Sequence, residues 1–305
     1  MSDPRPIGVF DSGVGGLTVL REIIRRTPHE STLYLGDNGR APYGVREDAE
    51  VLEFSTQVLD ALVERDVKAL VVACNTSTAV GLAHYRRRYD LPVLGVIRPG
   101  ASAASLATRN RRVGIIATPA TIRSHAYFEA VKDENPAIEV YEHATPTLVP
   151  MVEAGMLSGP EAEATVAAAL APLLGERDAD GESIFPRPPG ATIDTLLLGC
   201  THYPLLRPLI ATVAGDRVAI VDSATATASA LAELLVVNGL EAPGTTRGTA
   251  ADAGRIGHDQ PDEIAPVITH RQLTTGDVAR FQAVATRLFG AAFPEVASVD
   301  LGVHA

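Results

Sequence analysis

Tryptophan is absent from the 305 residues and aromatic side chains reach only 5%, so aliphatic packing must supply most of the core. Lysine occurs only at Lys68 and Lys132. A pyridoxal-phosphate enzyme needs a Schiff-base lysine. Lys68 stands at the N-terminal end of an apolar strand run and Lys132 in the polar stretch KDEN, so neither reads as an active-site amine. Acidic residues outnumber basic ones, the formal charge is −11, and no Lys/Arg stripe relieves it, which argues against a nucleic-acid footprint. No window approaches the roughly eighteen apolar residues of a membrane span. The start MSDPRPIGVF lacks the basic and then apolar regions of a secretory signal. Cysteine occurs only at Cys74 and Cys200; two thiols without a secretory signal fit a reducing compartment, so cytoplasm is the expected location. No C-x-x-C or H-x-x-x-H pair offers a metal site, and no P-loop motif is present. Neither a metal nor a cofactor is expected.

The length suggests two domains, and 46% apolar with 21% charged residues is ordinary for a globular core. Short apolar runs alternate with amphipathic stretches, the pattern of an α/β protein with largely parallel sheets. Candidate strands are 7–10, 32–35, 69–73, 93–96, 113–117, 138–141, 195–198 and 219–221. Helices are expected near 16–26, 46–65, 76–88, 121–132, 160–174, 205–213 and 224–238. The segments 175–190 and 241–261 read as loops; beyond them, strands at 267–270 and 296–301 with a helix near 277–289 would form a small terminal appendage. A long-range repeat is also visible. IGVFDS at 7–12 resembles VGIIAT at 113–118, and VVACNT at 71–76 resembles LLGCTH at 197–202. Ligands of open α/β sheets bind beyond the carboxyl ends of the strands, so two facing halves would bring four such ends onto one crevice.

Cys74 and Cys200 each follow a strand and precede polar residues, Asn-Thr and Thr-His. A helix N-terminus there would lower a thiol pKa from about 8.5. One such cysteine reads best as a small buried hydrophobe; two in matching contexts favour chemistry. A disulfide fits poorly with the expected compartment. His202 would hold or polarise Cys200, and Asp11 would do the same for Cys74. Taken singly, His202 reads as a capping or packing residue, Asp11 as a loop carboxylate or cap, and Glu153 as a solvated helix-end charge. GVGGLT at 13–18 departs from a dinucleotide fingerprint at Thr18. A cysteine hydrolase would leave the second cysteine unexplained.

The motifs FDSGVGGL at 10–17, GDN at 36–38, PYG at 42–44, ACNT at 73–76, LVPMVE at 148–153 and LGCTHYP at 198–204 together resemble the glutamate racemase family, in that family's order, over roughly 7–270. The resemblance implies two similar α/β domains in a pseudo-twofold arrangement with the substrate between them. It implies a first domain from 1–97 plus 211–270, a second from 98–210, and leaves 271–305 as an appendage without a role. It further implies Cys74 and Cys200 as paired acid and base, assisted by Asp11, Glu153 and His202. Glutamate would be bound by Asp11, Ser12, Tyr43, Gly44, Asn75, Thr76, Thr118, Thr201 and His202. The family supplies D-glutamate for peptidoglycan without a cofactor, and a homodimer is its usual state. The acidic surface neither supports nor excludes a further protein partner. An aspartate racemase with a different side-chain pocket, or a non-catalytic amino-acid-binding protein, are the alternatives to separate.

Overall fold

A computed structural model describes residues 2–174, 192–244, 267–290, 293 and 296–302. The loop read at 175–190 and most of the one at 241–261 lie outside these residues. Ten strands are formed among the described residues: β1 Ile7–Asp11, β2 Thr32–Gly36, β3 Ala69–Val72, β4 Val93–Gly95, β5 Arg112–Ala117, β6 Glu139–Ala144, β7 Thr195–Gly199, β8 Ala219–Asp222, β9 His270–Thr274 and β10 Val296–Ser298. The helices are α1 Leu17–Arg26, α2 Asp48–Val63, α3 Asn75–Arg88, α4 Ile97–Ala107, α5 Pro119–Arg123, α6 Ala126–Glu134, α7 Leu148–Glu153, α8 Pro160–Leu174, α9 Arg207–Ala214, α10 Ser223–Asn238 and α11 Val278–Phe289.

The strands build two sheets, ordered β10-β9-β2-β1-β3-β4 and β6-β5-β7-β8, and every pairing is parallel. The fold is thus two mainly parallel α/β sheets flanked by helices. Strands β1, β3 and β7 are buried along their whole length, which is why they read as unbroken aliphatic runs rather than alternating ones. The order 2-1-3-4 in the first sheet is matched by 6-5-7-8 in the second. The repeat seen in the sequence therefore falls on equivalent strands, β1 with β5 and β3 with β7. Crossover helices carry the chain between parallel neighbours and cover both faces.

Two expected domain boundaries are corrected by strand pairing. β8 bonds to β7 in the register Leu196↔Ile220 and Leu197↔Val221, so 219–222 belongs to the second sheet, although 211–270 was expected in the first domain. The segment 271–305 is not an appendage. β9 extends the first sheet along β2, from Thr32↔His270 to Gly36↔Thr274, and β10 continues it. The strand expected at 267–270 only begins at His270, because pairing with β2 buries Gln272, Leu273 and Thr274 while Val267 is 80% exposed. α11 then folds over the sheet through Phe281, Ala285 and Leu288, an i, i+4, i+7 apolar stripe. α4 was not anticipated: Pro99 and Gly100 disguise it, yet proline is tolerated in a first helical turn. The single helix expected at 121–132 is broken into α5 and α6 at His125, whose φ is 53°.

Candidate active site

The loops after β1, β3, β5 and β7 all open onto one crevice between the sheets, a cavity of about 300 Å³. Its walls carry Ser12, Cys74, Asn75, Thr76, Thr118, Cys200, Thr201 and His202, and it is closed by Tyr43, Gly44, Val149 and Glu153. Every residue expected at the site therefore lines one cavity, except Asp11. That carboxylate is fully buried behind the wall. Its oxygens accept from the Gly13 N–H at 3.0 Å and from Thr201 Oγ1 at 3.4 Å. Direct substrate binding by Asp11 is thus not what its placement offers; it supports the loop beneath Cys200.

Cys74 caps α3, and its sulfur accepts the Ser77 N–H at 3.5 Å while its thiol donates to Ser12 Oγ at 3.6 Å. The expectation of a lowered thiol pKa fails here. Burial pushes the Cys74 thiol up to about 11, the negative charge of Asp11 adds to that, and the bonds from Ser77 and Ser12 only partly offset it. Cys200 lacks an α-helix behind it: a short 3-10 turn, Tyr203–Leu206, follows instead. Both cysteines are free thiols.

The partner of Cys200 is His202, whose Nδ1 lies 3.9 Å from the sulfur. On its other side Nε2 is 3.3 Å from Glu153 Oε1, within ion-pair reach although off the line of a directed hydrogen bond. Burial opposes charge on this ring, but Cys200, Glu153 and Asp11 outweigh it and raise its pKa to about 10. Glu153 in turn is held below the usual carboxylate range by His202, against the effect of its own burial. The result is a buried imidazolium beside one of the two sulfurs.

The glycines of GVGG serve this packing rather than a dinucleotide. A Cβ on Gly15 would lie 2.4 Å from Thr201 Oγ1 and 2.5 Å from His202 Nδ1, and one on Gly16 would lie 2.4 Å from Asp11 Cβ. The loop after β1 is stripped of side chains so that the Thr201–His202 segment of the other sheet can sit on it. Thr18 Oγ1 completes the contact by donating to the Thr201 carbonyl at 3.0 Å. Thr18, the position that broke the fingerprint, thus joins the two halves.

A family model described as Asp/Glu/Hydantoin racemase matches residues 7–181. The chain belongs to this family. Over 307 residues it is 45% identical to a glutamate racemase of Beutenbergia cavernae, covering 100% of this chain and 94% of that one. It superposes on the glutamate racemase isoform RacE1 of Bacillus anthracis with a TM-score of 0.83 at 39% identity, covering 98% and 99% of the two chains. A Francisella tularensis glutamate racemase solved in complex with D-glutamate matches with a TM-score of 0.79 at 31% identity, covering 98% of each.

For a racemase of this family the remaining task is to hold a small polar ligand, and the wall opposite the loop of Gly13 to Gly16 offers donors. Asn75 receives Tyr127 OH on its Oδ1 at 2.6 Å, which leaves its buried Nδ2 without a protein partner. An unpaired buried donor costs free energy until a ligand meets it. Thr76, Thr118 and Thr121 form a hydroxyl triangle with edges of 3.0, 3.1 and 3.3 Å, tying α3 to α5 across the crevice. Thr121 was missed in the sequence; its spacing of three from Thr118, around Pro119 at a helix start, was the available signal. The Tyr43 ring is buried and its hydroxyl donates to Asp37.

Gly44 meets Thr118 closely enough that a Cβ would lie 2.6 Å from the threonine Cβ. Gly44→Ala is expected to push this loop from α5 and weaken substrate binding about tenfold, the scale of overpacking by one methyl. KM should rise, and the thermal midpoint should fall by a few degrees, because the clash with Thr118 is already present in the free protein. A Gly44→Ala protein with unaltered KM would show that the loop does not close on the ligand.

Proposed function

We propose that the chain is a cofactor-independent glutamate racemase that interconverts L- and D-glutamate. The observation that carries this reading is that the only two cysteines reach one cavity from equivalent strands of the two sheets. One sulfur, as thiolate, takes the Cα proton from one face; the other, as thiol, gives a proton to the opposite face. The pair then stands with its protonation reversed and relaxes through solvent. The Cα–H bond is a very weak acid, so the developing charge on the substrate carboxylate must be met by fixed donors. Asn75 Nδ2 and the threonine hydroxyls would serve as those donors. The charged His202 stabilises Cys200 whenever its sulfur is negative, while Ser12 and the Ser77 N–H serve Cys74.

The two lysines support a route without a Schiff base. Lys68 donates to the Asp3 carbonyl at 2.8 Å and pairs with Glu30 at the far end of the first sheet, and Lys132 bonds the carbonyls of Pro136 and Ile138. In the cell this activity would supply D-glutamate to peptidoglycan in the cytoplasm, from a homodimer. No helix of the described residues is long and apolar enough to cross a membrane.

The test is to incubate the purified protein with L-glutamate in deuterated water without added cofactor. D-glutamate should form and carry one solvent deuterium at Cα. Unlabelled product would end the proton-transfer reading, and faster turnover of aspartate in a parallel panel would reassign the substrate.

A further inference from the structure

The C-terminal tail reaches the proposed Cys200 machinery from behind. α11 is rooted on the first sheet by Phe281, whose ring centroid lies 6.4 Å from that of Tyr34. Its start is fixed by Asp277, which accepts the Arg280 N–H at 2.7 Å. Arg280 and Arg287 are seven residues apart and so share one face of the helix. Together with Glu153 they line a second cavity, on the other side of Glu153 from the thiols. Arg287 Nη1 donates to the Glu153 carbonyl at 3.3 Å. Its side chain lies over Gly155, where a Cβ would come within 2.5 Å of Arg287 Cδ. Gly155 has φ +79°, so the turn that ends α7 is shaped to receive this arginine.

We propose that Arg280 and Arg287 are positioning residues for the Cys200 half of the reaction, Arg287 by fixing the turn that carries Glu153 and Arg280 by facing its carboxylate with positive charge. The inference rests on the two-thiol reading given above. The line of action runs from α11 to Glu153, from Glu153 to His202 at 3.3 Å, and from His202 to Cys200 at 3.9 Å. Glu153 has His202 within ion-pair reach on one side, and on the other it shares the second cavity with Arg280 and Arg287. Asp277 at the rim of the second cavity is the opposing charge, and Asp11 acts through His202. Arg280 also helps His202 to hold the Glu153 carboxyl below its ordinary range. This gives the tail a purpose beyond closing the first sheet: a segment of one sheet braces the proton-transfer residues of the other.

The test uses the full-length protein with Arg280→Gln, Arg280→Lys and Arg287→Met, each alone and on a Glu153→Gln background, reading kcat/KM against pH together with the thermal midpoint. Arg280→Gln should lower kcat/KM about fivefold and Arg287→Met about tenfold, the coupling expected between contacting groups. Loss of the Arg280 charge lets Glu153 take up its proton at higher pH, so the acid limb should move upward, and Arg280→Lys should return it. On the Glu153→Gln background neither arginine change should add a further loss. Equal losses on both backgrounds, or an acid limb unmoved by Arg280→Gln, would overturn the proposal. Failure of the two-thiol reading is seen separately, as turnover that survives Cys200→Ala.

Discussion

Cys74→Ala and Cys200→Ala are each expected to lower racemisation by about 10³- to 10⁴-fold, the upper range for loss of a positioned acid or base, with the fold intact. Both sulfurs are nearly buried, 5% and 7% exposed, but each deletion removes one heavy atom facing an open cavity. The cost in stability should be roughly 1 kcal/mol. The chemical loss is larger because the proposed two-thiol reaction needs both faces of Cα at once. A protein left with one thiol can still remove and return hydrogen on a single face. In deuterated water each alanine variant should therefore retain slow exchange at Cα of one enantiomer without inversion, and the two variants should spare opposite enantiomers. Chiral chromatography with mass detection reads both quantities, and thermal midpoints exclude unfolding. A single-cysteine variant with near-normal inversion would sink the paired roles.

The division of labour between the sulfurs was only half legible in the sequence. The repeat of strand, small polar residue and helix located both cysteines, because buried parallel strands announce themselves as aliphatic runs and their carboxyl ends are where ligands bind. What the sequence did not carry was the environment of each thiol. The helix N-terminus behind Cys74 suggested a lowered pKa, yet burial and the nearby Asp11 win and push it to about 11. The family resemblance implied Asp11 as a substrate contact; the pleat turns it the other way, into the bed of Thr201. The tail was legible as elements, a helix near 277–289 and a strand from 296, but not in where they dock. β9 is mostly polar in sequence, HRQLT, and becomes a strand only because β2 offers it an unpaired edge. No local pattern shows such a partner.

His202→Asn should lower kcat by about 10²-fold, the loss typical for one preorganised charge-stabilising donor, and it should change the dependence of stability on pH in a defined direction. In the folded protein His202 is raised from 6.5 to about 10. Below the unfolded value both states hold the proton, so the stabilisation of the charged ring by its neighbour Glu153 is fully present. As pH rises from 6.5 toward 10 the folded protein keeps a proton that the unfolded chain has released, and stability falls. Cys74, raised from 9.0 to about 11, acts with the same sign but only above 9.0. The wild-type thermal midpoint should therefore decline from pH 6.5 upward, while His202→Asn loses the part of that decline below pH 9 and keeps the part above it. An unchanged slope between pH 6.5 and 9 in the variant would mean that the ring is neutral in the native protein. The Glu153 carboxylate would then face only Arg280 and Arg287, and Cys200 would lack a cation beside its sulfur.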